Sequence, residues 1–82
     1  MKARKVLIID DEAELRQLVR LYFEKESFKC VEAAEGQQAL ELLKTDTFDL
    51  IILDIMMPNI DGVTFCMKVR ETSSVPIIFL TA

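Results

Sequence analysis

The stretch Asp49-Leu50-Ile51-Ile52-Leu53-Asp54 places four consecutive apolar residues between two carboxylates. Short runs of this kind, rich in Ile and Leu, are typical of strands that are covered on both faces, as in parallel sheets. Similar apolar runs occupy residues 6–9 and 77–80, and a less apolar run occupies residues 30–33. The sequence therefore predicts four short strands, the third of which covers residues 50–53.

Helical patterns lie between these runs. The first has apolar residues at spacings of three and four, namely Leu15, Leu18, Val19, Tyr22 and Phe23. With charged residues on its other face, this pattern predicts an amphipathic helix of about three to four turns. A second, shorter helix is predicted from Gly36, and a third after Asp61, which is a candidate N-terminal cap.

Strands and helices that alternate in this way predict an α/β domain, an open parallel sheet with helices on both faces. In such sheets, ligands bind at the carboxyl ends of the strands. Asp10, Asp11 and Asp54 follow the first and third strands, and Thr81 follows the fourth. Because the carboxyl ends of parallel strands meet at one edge, we expect these side chains to form one pocket.

Oxygen ligands at such a pocket suit Mg²⁺, with the main-chain carbonyl of Met56 as a further donor. Asp54 is the best candidate nucleophile for phosphorus, since a carboxylate can form an acyl phosphate. The Thr81 hydroxyl could hydrogen-bond that phosphoryl group. Taken singly, each residue has a simpler explanation: Asp10 or Asp11 could cap the first helix, and Asp54 could be a turn residue.

Composition limits the function classes. The 82 residues are 51% hydrophobic, which predicts one packed domain over residues 1–82. Fourteen acidic against ten basic residues give a net charge of −4 and no basic stripe for nucleic acid. No apolar run is long enough for a signal peptide or a membrane span. Cys30 and Cys66, with no His in the chain, indicate two buried cytoplasmic thiols rather than a zinc site.

Three motifs carry a resemblance to a known family. They are KVLIIDDE at residues 5–12, DLIILDIMMPNIDG at residues 49–62 and VPIIFLTA at residues 75–82. Together they resemble the receiver domain of bacterial two-component response regulators. The resemblance implies a flavodoxin-like fold and Mg²⁺-dependent phosphoryl transfer from a phosphohistidine of a sensor histidine kinase. It further implies a switched output domain, which the loop at residues 57–62 indicates to be transcriptional.

The resemblance also assigns roles to single residues. It implies that Asp54 is the phosphoacceptor, Asp11 the direct acidic Mg²⁺ ligand and Asp10 a ligand acting mainly through water. It makes the Met56 carbonyl a further ligand and Thr81 the switch hydroxyl.

A complete receiver is expected to be longer than this sequence. We therefore expect residues 1–82 to form its N-terminal two thirds, with strand order 2-1-3-4, lacking a fourth helix, a fifth strand and a fifth helix. The missing strand would carry a lysine that pairs with the phosphoryl group. The fourth strand would then be an apolar edge with a tendency to self-associate.

Two other functions stay open on the sequence. One is a Mg²⁺-dependent phosphatase or phosphotransferase for small substrates, although 82 residues leave little room for an additional general acid and a cap. The other is an interaction fragment that cannot be phosphorylated. Turnover of a small phosphoester would favour the first, and absence of Mg²⁺ binding would favour the second.

Overall fold

The computed structural model describes residues 3–58 and 61–80. Strands and helices alternate along this part of the chain, in the order β1 (Lys5–Ile9), α1 (Ala13–Lys25), β2 (Lys29–Ala33), α2 (Gly36–Thr45), β3 (Leu50–Asp54), α3 (Gly62–Arg70) and β4 (Ile77–Leu80). Every predicted strand and helix is present. The main difference lies in β3, which includes Asp54 as its last residue instead of ending before it.

The four strands form one parallel sheet in the order β2-β1-β3-β4. This confirms the predicted α/β, flavodoxin-like arrangement with strand order 2-1-3-4. In the register, Ile9 lies beside Ala33 on one side and beside Leu53 on the other. The carboxyl ends of β1, β2 and β3 are therefore level with one another.

Helices cover the two faces of the sheet, and alternating strand residues supply the two parts of the core. One part packs against α2 and α3 and consists mainly of Leu7, Ile9, Ala33, Ala39, Ile51, Leu53, Phe65 and Val69. The other part packs against α1 and contains Val6, Ile8 and Ile52. Both faces of β1 and β3 are buried, which explains why their sequences are apolar without alternation.

Helix α1 covers its face of the sheet with only part of its apolar stripe. Val19 and Phe23 pack against the core, and the Phe23 ring meets that of Phe28 edge to face at 5.1 Å. Leu18 and Tyr22, which belong to the same predicted stripe, are 64% and 61% exposed. The periodicity identified an apolar stripe correctly, but in the described part of the chain nothing covers its outer half.

The predicted start of α3 is confirmed. The Asp61 carboxylate accepts hydrogen bonds from the main-chain N–H of Val63 at 3.0 Å and from the Thr64 hydroxyl at 2.9 Å. It thereby satisfies a donor that the first turn of a helix leaves without a partner. These hydrogen bonds also hold the pKa of Asp61 below its ordinary value, the Thr64 hydroxyl having the largest effect.

The two cysteines are free thiols of intermediate burial, so the prediction that both are buried is met only in part. Burial raises the pKa of the Cys30 thiol above its ordinary value. Among residues 3–58 and 61–80, no helix has the length and apolarity needed to cross a membrane.

Candidate metal site at the carboxyl edge of the sheet

Three carboxylates converge where β1 and β3 end side by side. Asp10 and Asp11 follow Ile9 at the end of β1, and Asp54 closes the neighbouring β3. One carboxylate oxygen from each of the three aspartates lies within 4.8 Å of the other two. The structure thus brings together the three residues that the strand pattern placed at this edge.

Asp10 is completely buried and only half of its carboxylate is satisfied. Its Oδ1 accepts a hydrogen bond of 2.9 Å from the main-chain N–H of Glu12, whereas its Oδ2 is buried without a hydrogen-bond partner among residues 3–58 and 61–80. Burial raises the pKa of Asp10 above its ordinary value, and the nearby charge of Asp54 raises it further. A buried carboxylate oxygen without a hydrogen-bond donor is unfavourable unless a cation binds to it or a proton neutralises it.

Asp54 lies at the rim of the same pocket and is 9% exposed. Its Oδ1 accepts a hydrogen bond of 2.9 Å from the main-chain N–H of Met56, in the turn that follows β3. The N–H of Ile55 donates to the carbonyl of Leu80 at 3.2 Å, which ties this turn to the end of β4. The Asp54 carboxylate therefore stands at the start of a short, hydrogen-bonded turn.

The composition of the pocket fits a hard divalent cation. Two unit charges 4.8 Å apart repel each other by about 3.5 kcal/mol at an effective dielectric near 20, and the pocket holds three such charges. All three side chains offer oxygen ligands, as Mg²⁺ prefers, and Asp10 Oδ2 has no hydrogen-bond partner within the described ranges. A bound cation would relieve both the repulsion and the unsatisfied oxygen.

The simpler explanations for the aspartates are partly realised. The N-cap residue of α1 is Glu12, which makes no side-chain capping bond, and Asp10 accepts its N–H in the turn that leads into the helix. Asp10 therefore orders the start of α1 while it faces the pocket. The side chain of Met56 is 68% exposed, and the role of its carbonyl stays a prediction. Thr81 lies outside the described residues, so its predicted role also stays a prediction.

Sequence reasoning missed a charged network behind the pocket. Arg16 Nε donates to Glu32 at 3.0 Å, and Arg20 donates to the other oxygen of Glu32 at 2.7 Å. Hydrogen bonds from Arg20 and then from Arg16 lower the pKa of Glu32. A signal for the network exists in the sequence, because the acidic Glu32 interrupts β2 and the two arginines are four residues apart on α1.

A cavity of about 730 Å³ lies elsewhere, between the C-terminal ends of α2 and α3. Leu43, Phe48 and Val69 line it together with other residues, none of which belongs to the acidic cluster. A smaller cavity of about 150 Å³ includes Asp11 and Met57. Neither of these two cavities is lined by Asp10 or Asp54.

The family of the chain follows from comparison with known proteins. The profile of the response regulator receiver domain matches residues 6–82, and the chain belongs to this family. The transcriptional regulatory protein ResD of Bacillus subtilis is 45% identical over 78 residues, which is 95% of this chain and 32% of that protein. The transcriptional regulatory protein SrrA of Staphylococcus aureus is 44% identical over 80 residues, 98% of this chain and 33% of that protein. The chain thus spans about a third of the length of these relatives.

Solved structures agree with the fold and the family. The response regulator TrrA of Thermotoga maritima, in complex with Mg²⁺ and beryllofluoride, superimposes with a TM-score of 0.87 at 34% identity, covering 96% of this chain and 70% of that one. TrrA has also been solved in complex with the histidine kinase ThkA, where it matches with a TM-score of 0.86. The resemblance read from the three sequence motifs is therefore confirmed: the chain is a receiver domain of the two-component response regulators.

Proposed function

We propose that this receiver domain accepts a phosphoryl group on Asp54 from a sensor histidine kinase, in a reaction that requires Mg²⁺. The observation that carries the proposal is the convergence of Asp10, Asp11 and Asp54 within 4.8 Å at the carboxyl edge of the sheet. The complex of TrrA with a histidine kinase supports a kinase as the donor. The names of the transcriptional regulatory proteins ResD and SrrA support transcription as the output that this receiver domain controls.

In the proposed reaction, a carboxylate oxygen of Asp54 attacks the phosphorus of the phosphohistidine. The new bond is a P–O bond to Asp54, the P–N bond breaks, and the imidazole nitrogen keeps its electron pair. Asp54 is suited to this role because it stands at the rim of the pocket, with the N–H of Met56 holding one of its oxygens. The product is an acyl phosphate on the carboxyl edge of the sheet.

Asp10, Asp11 and Asp54 would hold the Mg²⁺, and the Met56 carbonyl is proposed as a further ligand. Bound there, the ion would neutralise charge on the phosphoryl oxygens. The Oδ2 of Asp10 supports this assignment, since it is a buried acceptor to which none of the described residues donates a hydrogen bond. We assign no turnover of free substrates to the chain, and we place its action in the cytoplasm with the kinase.

Phosphorylation by a small donor tests the proposal. The full chain is incubated with acetyl phosphate and Mg²⁺, and intact mass followed by peptide mapping should find one phosphoryl group on Asp54. Asp54→Asn should abolish the modification, as should a chelator, while Thr81→Ala should still be modified. Asp49→Asn is the matched control, because Asp49 precedes the same strand at its opposite end. A phosphoryl group that is still found in Asp54→Asn would refute the assignment of Asp54 as the acceptor.

The outer edge of β4 is a second contact surface in this proposal. In the described ranges β4 pairs with β3 alone, and Ile78 and Phe79 are 50% and 42% exposed. Unpaired strand edges with apolar side chains favour pairing with another chain. We therefore expect self-association through β4 and, given the net charge of −4, no binding of nucleic acid by residues 1–82. Light scattering that finds a monomer at all concentrations would contradict the first expectation.

A further inference from the structure

Arg16 connects three parts of the molecule behind the carboxylate pocket. It belongs to the first turns of α1 and its side chain is only 17% exposed. One guanidinium nitrogen, Nη1, donates to the main-chain carbonyl of Asp10 at 2.7 Å, and Nε donates to Glu32 on β2 at 3.0 Å. The planar guanidinium thus bridges the end of β1 and the edge strand β2.

Glu32 is held in place to receive this bridge. It is the register partner of Ile8, so both side chains stand on the face of the sheet that α1 covers. Its second carboxylate oxygen accepts a hydrogen bond from Arg20 at 2.7 Å. Glu32 is consequently fixed by two arginines, and it orients Arg16 toward Asp10.

The bond to the Asp10 carbonyl acts on the geometry of the site. That carbonyl belongs to the peptide group that joins Asp10 to Asp11, and a peptide group is planar. The N–H of Asp10 already donates to Ala33 at 3.1 Å, and its Oδ1 accepts from Glu12. With Arg16 holding the carbonyl, the main chain of Asp10 is fixed on both sides, and the direction in which the chain leaves toward Asp11 is fixed as well.

We propose that Arg16 is a positioning residue for the cation site, which sets the orientation of the Asp10–Asp11 peptide group through its hydrogen bond to the Asp10 carbonyl. This inference rests on the proposed function, because it concerns the same carboxylates. Arg16 bonds the main chain, and so leaves the carboxylate oxygens of the pocket available to a cation. Groups that orient metal ligands commonly change metal affinity by about 10- to 100-fold when they are removed.

Arg20 provides a matched control. It has the same charge, lies one turn further along α1 and binds the same Glu32, yet its bonds go to Glu24 and Glu32 and not to Asp10. If Arg16 acted through its charge alone, its effect on the affinity for Mg²⁺ would be opposite in sign to the effect of positioning. Removing a positive charge near the pocket should tighten the binding of a cation, whereas loss of positioning should weaken it.

The test compares Arg16→Ala, Arg16→Lys and Arg20→Ala in the full chain. Calorimetric titration with Mg²⁺ should give a Kd about tenfold higher for both Arg16 variants, at the lower end of the range for orienting groups. Lys keeps the charge but cannot bridge two acceptors in the fixed geometry of a guanidinium, so it should not rescue binding. Arg20→Ala should stay within about twofold of wild type, since it does not contact the site.

A readout in the metal-free protein separates this inference from the proposed function. The Asp11 amide ¹⁵N resonance should shift in both Arg16 variants and not in Arg20→Ala, because it belongs to the peptide group that Arg16 binds. Tighter or unchanged Mg²⁺ binding in Arg16→Ala, full rescue by Arg16→Lys, or an unmoved Asp11 amide would overturn the inference. A wild-type chain that binds no Mg²⁺ would instead refute the proposed function, and the amide shift would still decide the role of Arg16.

If the Arg16 variants do not fold, the wild-type protein still tests the inference. Addition of Mg²⁺ should shift the Arg16 Nη1–H resonance, since this nitrogen binds the peptide group that joins two of the proposed ligands, Asp10 and Asp11. The Arg20 Nη1–H resonance should move much less, because that nitrogen binds Glu32. Equal shifts for both arginines would overturn the positioning role.

Discussion

Replacing Asp10 with Asn removes a buried charge and keeps the shape of the side chain, and we expect the metal-free protein to become more stable. Asp10 is completely buried, and its Oδ2 has no hydrogen-bond partner in the described part of the chain. An amide at this position could keep its oxygen on the Glu12 N–H and direct its NH₂ group toward Asp54. The change would give the group at the position of Asp10 Oδ2 a hydrogen-bond partner and would also remove the charge repulsion with Asp54.

The magnitude follows from the distances in the cluster. One oxygen of Asp10 and one of Asp54 lie within 4.8 Å of each other, and at that separation two unit charges repel by about 3.5 kcal/mol at an effective dielectric near 20. Asp10 also has a raised pKa, so protonation limits the penalty that its charge imposes. We therefore expect a gain of about 2 kcal/mol in the free energy of unfolding, which raises the melting temperature by about 10 °C for a domain of this size.

Thermal and urea unfolding of both proteins at neutral pH, first in a chelator and then in Mg²⁺, measure this effect. Asp11→Asn is the matched comparison, since Asp11 is exposed and water screens its charge. At 4.8 Å in water the same repulsion is worth only about 0.9 kcal/mol, so Asp11→Asn should stabilise less. Added Mg²⁺ should stabilise wild type more than either variant. An Asp10→Asn protein that is no more stable than wild type in the chelator would refute the reasoning.

Three further predictions concern the fold and the network behind the site. Glu32→Gln should lower the free energy of unfolding by about 1 kcal/mol at neutral pH, after discounting for partial exposure. Because the pKa of Glu32 is lowered in the folded protein, its contribution to stability is present above the ordinary pKa of 4.5 and is lost as the pH falls. In urea unfolding the difference between the two proteins should therefore vanish in acid, and a difference that does not change with pH would contradict this prediction. Asp61→Ala should lower the melting temperature because it removes the cap of α3, whereas Asp61→Asn should keep most of the wild-type value. Equal melting temperatures for wild type and both variants would argue against the cap. Phe65→Ala should cost about 3–5 kcal/mol in urea unfolding, whereas Val63→Ala, at a 69% exposed position on the same helix, should cost under about 0.5 kcal/mol; similar losses would contradict the assigned core.

The fold could be predicted from the sequence because its signals are local. The apolar runs of β1 and β3 reflect burial on both faces, and alternation with helices leaves few topologies. The convergence of Asp10 and Asp54 followed from the same argument, since parallel neighbours end at one edge. Although the two residues are far apart in the chain, the predicted strand arrangement alone was enough to predict that they lie close together.

Other features could not be predicted because they depend on packing between elements. Periodicity marks Leu18 and Tyr22 as apolar stripe residues, but it does not say how much of a stripe the sheet covers. The bridge from Arg16 to Asp10 and Glu32 depends on the register that places Glu32 beside Ile8. Without that register, an arginine on the polar side of an amphipathic helix is indistinguishable from a solvent-exposed one.

A crystal structure of the full chain with Mg²⁺ and beryllofluoride, a mimic of a phosphoryl group, tests the central claim most directly. We expect the beryllium bonded to a carboxylate oxygen of Asp54 and a single Mg²⁺ held by oxygens from the Asp10, Asp11 and Asp54 cluster. Density for the mimic on any other residue, or for the ion away from these three carboxylates, would contradict the account.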